Sequence, residues 1–293
     1  MKKVLILGGT RFFGKRLVQY LLQEGKSEIT VATRGNTPLP FGEEVRHLIV
    51  DREVEEQLRA AAEKEEWDIV YDNICYSPDA AMDAVKLFDG RTKKYVFTSS
   101  LSVYDVGVKD AMEEEDFDPS TYGIQHGRHD RFTYQEGKRQ AEAVFMQQAS
   151  FPVVCVRFPI VLGTDDYTKR LHFHVDRIKE GRPIGLPNLN ARMGFIHSEE
   201  AARFLAWAGA SSITGPVNAA SQNTISIGEL MELIESKTGQ KAMLTKDTEE
   251  DAASPFGVEA SWYMNTNTAA EAGFEFDNLN DWLPKLVDQL ALN

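Results

Sequence analysis

Three side chains of this sequence have the types and the spacing of a proton-transfer site. Of its nine tyrosines, only Tyr134 is followed four residues later by a lysine, Lys138. On a helix that spacing places both side chains on one face, where an ammonium favours the phenolate and lowers the pKa of the tyrosine. Ser100 ends a predicted strand and is placed to hydrogen-bond a reacting oxygen. The set predicts Tyr134 as a general acid or base, with a helix-surface pair beside an unrelated serine as the alternative.

A glycine-containing turn near the N-terminus predicts a dinucleotide site. The turn from Gly8 to Gly14 separates the first predicted strand from the first predicted helix. Glycine permits a tight turn there and lets backbone N–H groups approach a pyrophosphate at the helix N-terminus. A turn without a ligand is the alternative. Arg11 occupies the middle glycine position of a G-x-x-G-x-x-G pattern and offers a planar fork for phosphate oxygens.

The ends of the next two strands suggest which dinucleotide binds. The second strand ends in Thr33 and Arg34, where an NAD-selective protein usually carries an acidic residue for the ribose 2′-OH. Arginine attracts a 2′-phosphate, so NADP(H) is the preferred cofactor and NAD(H) the alternative. Asp51 closes the third strand and can accept a hydrogen bond from adenine, although aspartate is also a common turn residue. The predicted cofactor contacts are Gly8, Thr10, Arg11, Phe12, Phe13, Gly14, Thr33, Arg34, Asp51, Arg52, Asn73, Lys138, Phe158 and Pro159.

Alternating strand and helix patterns fill the first half of the chain. Compact apolar runs rich in β-branched residues, at 2–7, 28–33, 45–50, 68–73, 93–100 and 152–158, alternate with segments of helical spacing. This order predicts an α/β fold with a doubly wound parallel sheet and helices on both faces. The pattern changes after Gly163, where turns, short strands and helices predict a smaller C-terminal α+β lobe laid against the first part.

Composition and charge argue against several classes of protein. The net charge of −13 disfavours a nucleic-acid partner, and the absence of a long apolar run disfavours a membrane span. Two isolated cysteines, Cys75 and Cys155, favour a reducing, cytoplasmic setting. The histidine spacings lack an accompanying cysteine or carboxylate set, so no metal site is predicted.

A basic stretch precedes Tyr134 in this acidic chain. The segment 122–132 contains His126, Arg128, His129 and Arg131. Together with residues of the second half, it could hold an anionic small-molecule substrate; a polar surface loop is the alternative. The predicted substrate contacts are Ser102, Tyr104, His126, Arg128, Arg170 and His174.

The order of these motifs resembles the extended short-chain dehydrogenases/reductases, the NAD-dependent epimerase/dehydratase family. Besides the glycine turn and the Tyr134/Lys138 pair, the similarity includes 95–104, 157–166, 194–200 and 215–230. The resemblance implies a Rossmann domain at 1–162, with a returning segment near 192–219, and a substrate lobe mainly at 163–293. It also implies that the tyrosine is the acid/base, that the lysine holds the nicotinamide ribose, and that the serine orients a substrate that is frequently a nucleotide-sugar. A homodimer through the helices at 80–88 and 136–148 is a further implication.

Departures from the family pattern bear on the reaction. Leu101 and Ser102 replace the Asp-Glu pair of sugar-nucleotide 4,6-dehydratases, which disfavours water elimination. Asn73 to Tyr76 stand where epimerases often have a His-Leu-Ala-Ala-like stretch lining the nicotinamide. Arg11 also occurs in a branch that resembles chloroplast stem-loop RNA-binding proteins. The main prediction is therefore an NAD(P)-dependent epimerase or reductase, and the alternative is a dinucleotide-binding sensor or RNA-associated protein without turnover.

Overall fold

The computed structural model describes residues 1–246 and 251–292. In these ranges the strands are β1 (Lys2–Leu7), β2 (Ser27–Thr33), β3 (Val45–Ile49), β4 (Ile69–Asp72), β5 (Tyr95–Ser100), β6 (Ala111–Met112), β7 (Val153–Phe158), β8 (Ile160–Leu162), β9 (Pro183–Gly185), β10 (Arg192–Met193), β11 (Phe195–His197), β12 (Gly215–Asn218), β13 (Ile225–Ser226), β14 (Met243–Thr245) and β15 (Tyr263–Met264). The α-helices are α1 (Phe12–Glu24), α2 (Glu55–Ala62), α3 (Pro78–Phe88), α4 (Tyr134–Gln148), α5 (Arg170–Glu180), α6 (Ser198–Ala210), α7 (Ile227–Thr238), α8 (Asn267–Glu271) and α9 (Leu279–Leu292).

The main sheet has the order β12-β7-β5-β4-β1-β2-β3 among the described residues, and its neighbouring strands are all parallel. The order reverses direction between β1 and β4. Parallel strands share one carboxyl edge, and ligands of open α/β sheets bind at that edge where the order reverses. The predicted doubly wound α/β sheet is confirmed.

Both faces of the main sheet are buried. Along β1, Val4 and Ile6 pack into the core on one side, with α1 and α6, and Leu5 and Leu7 pack into the core on the other, with α2, α3 and α4. A strand that is buried on both faces needs apolar residues at consecutive positions, since its side chains alternate between the faces. This explains why the strand segments of the sequence read as apolar runs rather than as alternating patterns.

A second core lies beyond the main sheet. It is built from α5, α7 and α9 and from short strand pairs, with Leu171, Ile178, Leu230 and Leu286 fully or almost fully buried. The chain also returns to the main sheet, because β12 pairs with β7 and α6 packs beside α1. The predicted division at residues 162 and 163 stays a prediction. No helix in the described ranges has the length and apolarity that a membrane crossing requires.

The segment 119–128 lies across α3 and α4. Gln140 of α4 exchanges hydrogen bonds with it: its Nε2 donates to the Gly123 carbonyl at 3.0 Å, and its Oε1 accepts from the Gln125 N–H at 2.7 Å. Gly127 N–H donates to Asp79 Oδ1 of α3 at 3.0 Å. The helix faces expected to form a dimer are thus partly covered by the chain itself, and the homodimer stays a prediction.

Candidate functional site

An open cleft of about 840 Å³ lies at the carboxyl edge of the main sheet. Every predicted cofactor residue and all three predicted catalytic residues line it, as do two of the predicted substrate residues, Ser102 and Arg170. The lining positions follow β1, β2, β3, β4, β5 and β7, the strands on either side of the reversal in strand order. The topology therefore gathers distant segments of the sequence into one site.

The glycine turn is shaped by close backbone contacts. Gly8 has φ +85°, and a Cβ at Gly14 would lie 2.3 Å from the Gly8 carbonyl oxygen. Asn73 Nδ2 donates to that same oxygen at 3.1 Å. Arg11 has φ −133°, a conformation open to any residue, whereas Phe12 has φ +48°. The backbone conformation at position 11 thus does not require glycine, because the left-handed residues of this turn are Gly8 and Phe12.

Two exposed arginines flank the predicted dinucleotide path. Arg11 Nε donates to Thr37 Oγ1 at 3.0 Å, and its guanidinium lies 5.9 Å from the centroid of the Tyr167 ring. Arg34 is exposed at the end of β2. Thr33 is nearly buried, and its hydroxyl lies 2.8 Å from His47 Nε2. Both guanidinium groups remain accessible to an anionic ligand.

Arg52 lies beneath the cleft and is already paired. Its Nη2 is 2.5 Å from Asp72 Oδ2, and Tyr95 Oη donates to the same oxygen at 2.7 Å. Burial opposes the charge of Arg52, but the Asp72 carboxylate holds its pKa well above the usual value. Asp51 Oδ1 accepts from the Glu53 N–H at 3.0 Å. Arg52 lines the cleft with only 2% of its surface exposed and helps to form the floor of the site, and its predicted contact with a cofactor stays a prediction.

The structure brings Ser100 and Tyr134 together. Tyr134 is the first residue of α4, where Thr133 Oγ1 accepts from the Glu136 N–H at 3.2 Å and caps the helix. Tyr134 is 55% exposed and faces the open cleft. Desolvation by the cleft walls nevertheless raises the pKa of Tyr134, while the hydrogen bond with Ser100 and the charge of Arg170 act in the opposite direction.

Lys138 does not act on Tyr134 as the sequence predicted. Its Nζ donates to the carbonyl oxygens of Cys75 at 2.8 Å and Thr98 at 2.7 Å, and it lies 5.8 Å from the centroid of the Tyr134 ring. The side chain is only 1% exposed, and burial lowers the pKa of Lys138 to about 8. The expected lowering of the Tyr134 pKa by this ammonium is wrong, because the pKa of Tyr134 is raised and Lys138 is not among the causes.

Two predicted substrate residues are buried away from the cleft. Tyr104 donates through its hydroxyl to Asn218 Oδ1 at 2.8 Å and accepts from Arg157 Nη1 at 2.7 Å. His174 is fully buried and stacks on Phe256 with ring centroids 4.5 Å apart. Burial lowers the pKa of His174 to about 4. Both side chains hold internal structure together, which the sequence pattern did not reveal.

The basic stretch before Tyr134 also differs from its prediction. Arg128 Nη2 lies 2.7 Å from Asp83 Oδ2, and the 81% exposed His126 side chain lies 3.3 Å from Asp79 Oδ1. Neither residue lines the cleft. Arg128 and His126 thus pair with carboxylates of α3, so this part of the stretch binds the chain's own helix. His129 is the member of this stretch that lines the cleft.

The family of the chain follows from a comparison with family models. The model described as the NAD dependent epimerase/dehydratase family matches residues 4–90 and 77–222. The chain belongs to this family. The family is described as NAD dependent, and the Rossmann-like parallel sheet of this chain agrees with the family assignment.

Solved structures with the same fold are numerous. UDP-glucuronic acid 4-epimerase from Bacillus cereus, in complex with UDP-glucuronic acid and NAD, is 15% identical with a TM-score of 0.77, covering 99% of each chain. The dTDP-glucose 4,6-dehydratase from Bacillus anthracis in complex with NAD is 16% identical with a TM-score of 0.77, covering 100% of this chain and 97% of that one. UDP-glucose 4-epimerase from Thermus thermophilus, also with NAD, is 16% identical with a TM-score of 0.72 and 98% coverage of both chains. At these identities the likeness shows the fold.

A curated relative is the chloroplast stem-loop binding protein of 41 kDa b from Arabidopsis thaliana. It is 28% identical over 203 residues, which cover 64% of this chain and 49% of the relative. The match thus spans about half of the relative's length.

Sequence reasoning missed several aromatic residues of this epimerase/dehydratase family site. Tyr76, Tyr167 and Trp262 line the cleft, and His129 and Pro255 lie there too. Tyr76 ends the stretch in which the sequence departs from the family pattern, so that departure was the available signal. Trp262 comes from a turn-rich part of the second lobe, and no motif marks it. Among the described residues, no group of three or more His, Cys, Asp and Glu side chains is arranged to hold a metal ion.

Proposed function

We propose that the protein is an NAD(P)-dependent epimerase or reductase that acts on a carbonyl or hydroxyl group of a small substrate. The supporting observation is that Ser100, Tyr134 and Lys138 share one cleft with the glycine turn after β1. The residues present fit a dinucleotide, because glycines at positions 8 and 14 let the turn pack closely on Ile74 and on itself. Such a turn at the N-terminus of α1 lets backbone N–H groups approach a pyrophosphate. When bound, the nicotinamide would accept or supply a hydride.

In the proposed mechanism, Tyr134 transfers the proton at the substrate oxygen. Its phenol faces the cleft, and its raised pKa keeps it protonated at neutral pH, which suits donation to a carbonyl oxygen. Ser100 lines the same cleft as the phenol and orients the reacting oxygen. Lys138 anchors α4 to the backbone after β4 and at β5. Arg170 supplies positive charge at the substrate end.

We further propose NADP(H) as the preferred cofactor, with NAD(H) as the alternative. Arg11 and Arg34 support a 2′-phosphate, since both are exposed beside the path from the glycine turn to the end of β2. The neighbouring structures that name a cofactor name NAD, so they lend NADP no support.

Cofactor binding provides the decisive test. Purified protein is titrated with NADPH and with NADH while nicotinamide fluorescence is followed. The titration compares the wild type, Arg34→Ala and Arg59→Ala, which changes a half-buried arginine of α2 that does not line the cleft. Selective NADPH binding that weakens only in Arg34→Ala supports the proposal. Equal binding of the two, or preferential binding of NADH, overturns the choice of NADP(H). If the protein binds neither dinucleotide, the proposal that it is an NAD(P)-dependent enzyme is overturned.

By analogy with the neighbours, whose names include UDP-glucuronic acid and other nucleotide-sugars, we propose a nucleotide-sugar as the substrate. Leu101 and Ser102 offer no carboxylates beside Ser100, so a 4,6-dehydratase is disfavoured. An epimerase should copurify with tightly held cofactor and need none added. A reductase should instead consume NADPH stoichiometrically with its carbonyl substrate.

A second candidate is a dinucleotide-binding or RNA-associated protein without turnover. The stem-loop binding relative favours it. The net charge of −13 and the pairing of Arg128 with Asp83 oppose it, because RNA binding needs accessible cations. Filter binding with a stem-loop RNA, repeated at rising salt, checks this candidate: salt-sensitive affinity would favour it over the enzyme.

A further inference from the structure

Tyr76 occupies a position that the proposed mechanism leaves without a role. It lies on the turn between β4 and α3, lines the cleft and is 38% exposed. A bulky aromatic side chain stands here at the end of the Asn73–Tyr76 stretch, beside both members of the Tyr134/Lys138 pair. Its contacts with each of the two can be followed separately.

The ring of Tyr76 covers the ammonium of Lys138. Nζ lies 4.4 Å from the centroid of the Tyr76 ring and 4.8 Å from that of Phe97, so two aromatic faces enclose the charge. Rings that exclude water from an ammonium disfavour its charged form, which agrees with the lowering of the Lys138 pKa by burial. Together with its two backbone acceptors, Cys75 and Thr98, these rings account for the 1% exposure of Lys138.

The same ring contacts Tyr134. The two ring centroids lie 6.2 Å apart with an interplanar angle of 45°, within the range of favourable tilted aromatic pairs. Tyr134 is the first residue of α4, so few helix neighbours restrain its ring on the cleft side. Tyr76 therefore limits the directions in which the Tyr134 phenol can point.

The backbone of Tyr76 packs against α4 at Gly137, between Tyr134 and Lys138. A Cβ at Gly137 would lie 2.3 Å from the Tyr76 carbonyl oxygen. Only glycine at position 137 allows this close contact, and the contact fixes the backbone position from which the Tyr76 side chain extends. The ring is thus placed by the helix whose side chains it contacts.

We propose that Tyr76 is a positioning residue of the active site, whose ring shields Lys138 from water and orients the Tyr134 phenol. This inference rests on the proposed function for its catalytic meaning, but the shielding is a property of the protein alone. The exposed edge of Tyr76 then forms a wall beside the reacting oxygen and limits the bulk of substrate that fits there.

The test measures the titration of Lys138 by NMR of lysine-labelled protein, with Lys138→Met used to identify the resonance. Tyr76→Phe keeps the ring and Tyr76→Ala removes it. The wild type should titrate with a pKa of about 8. We expect Tyr76→Phe to match it and Tyr76→Ala to titrate at least about one pH unit higher, since water then reaches the ammonium.

Two results would overturn the inference: unchanged titration in Tyr76→Ala, or the same upward shift in both variants. Thermal unfolding checks that each variant is folded, and Tyr76→Leu, which keeps apolar bulk without an aromatic face, replaces Tyr76→Ala if the latter does not fold. Leucine should give an intermediate shift.

A kinetic measurement separates this inference from the proposed function. With NADPH and a panel of carbonyl compounds and nucleotide-sugars, Tyr76→Ala should lower kcat about tenfold or more while Tyr76→Phe retains it. Absence of turnover in the wild type, with the NMR result as expected, would remove the proposed function and leave the shielding role intact. Unchanged kcat in Tyr76→Ala would contradict the orienting role.

Discussion

Arg157 and Glu142 form a fully buried ion pair directly beneath the candidate active site, with Nη2 2.6 Å from Oε2. Glu142 lies one turn after Lys138 on α4, and Arg157 lies on β7. Ser99, next to Ser100, also donates its hydroxyl to Glu142. Glu142 therefore joins both β7 and the strand that ends in Ser100 to the helix that carries Tyr134 and Lys138.

Removing one member of this pair should destabilise the protein strongly. Glu142→Ala leaves the Arg157 guanidinium charged and without its carboxylate in the interior, which costs about 3–5 kcal/mol. Urea unfolding followed by circular dichroism measures the loss. As a control, Asp288→Asn breaks the surface pair between Lys237 and Asp288 and should change the free energy of unfolding by less than about 1 kcal/mol. Equal small effects at both sites would contradict a structural role for the buried pair.

Gly137→Ala should destabilise the protein although alanine is normally the better helix residue. The substitution ordinarily stabilises a helix by about 1 kcal/mol. Here the new methyl group would meet the Tyr76 carbonyl at 2.3 Å, so α4 and the turn after β4 must separate. We expect a net loss of about 1–3 kcal/mol in the free energy of unfolding. Gly123→Ala, at a position with open space around it, is the matched control and should be nearly neutral.

Glu200 should make stability depend on pH. Burial raises its pKa from 4.5 to about 7, so between these values the folded protein holds a proton that the unfolded chain releases. The stability that the protonated Glu200 carboxyl contributes is fully present below pH 4.5 and is lost as the pH rises through 7. Glu200→Gln mimics the protonated form and should be the more stable protein at pH 8, by up to about 3 kcal/mol.

Denaturation at several pH values measures this difference. The wild type and Glu200→Gln should converge near pH 4.5 and diverge towards pH 8. Glu232→Gln, an exposed position on α7, should follow the wild type throughout. A constant gap between the wild type and Glu200→Gln would show that Glu200 does not titrate in this range.

Tyr134→Phe tests the proposed proton transfer. Loss of the hydroxyl should lower kcat by about 10²–10⁴-fold, the usual contribution of a general acid or base. Binding of NADPH, measured by fluorescence, should stay close to that of the wild type, because Tyr134 is assigned to the substrate oxygen. Tyr20→Phe, on α1, serves as the control, and retained turnover in Tyr134→Phe would assign the proton to another group.

Much of the fold was predictable from local patterns. The apolar runs at β1 to β5 and β7 and the glycine turn placed the cleft, because parallel strands must expose their carboxyl ends together. The burial of individual side chains and the identity of their partners were harder to predict from the sequence. Nothing local distinguishes His174, which stacks on Phe256 eighty-two positions later, from an exposed helical histidine. Likewise, the basic side chain of Arg128 shows its carboxylate partner, Asp83, only after folding.

The predicted effect of Lys138 on Tyr134 failed for a related reason. Spacing along α4 placed the two side chains on one face, but the lysine's hydrogen-bond acceptors are backbone carbonyls of Cys75 and Thr98, from the turn after β4 and from β5. A competing acceptor far away in sequence cannot be read from a local pattern. The positions of the candidate site residues followed from topology, whereas their electrostatics required the surrounding structure.

In the glycine turn after β1, the non-glycine residue with left-handed backbone, Phe12, is not the residue that supplies the charge, Arg11. Because Arg11 is in an ordinary extended conformation, its side chain can be exchanged without rebuilding the turn. Substitutions at position 11 can therefore change the attraction for anions while the backbone of the turn stays the same. A mutational scan of this single position would explore cofactor preference on a constant scaffold.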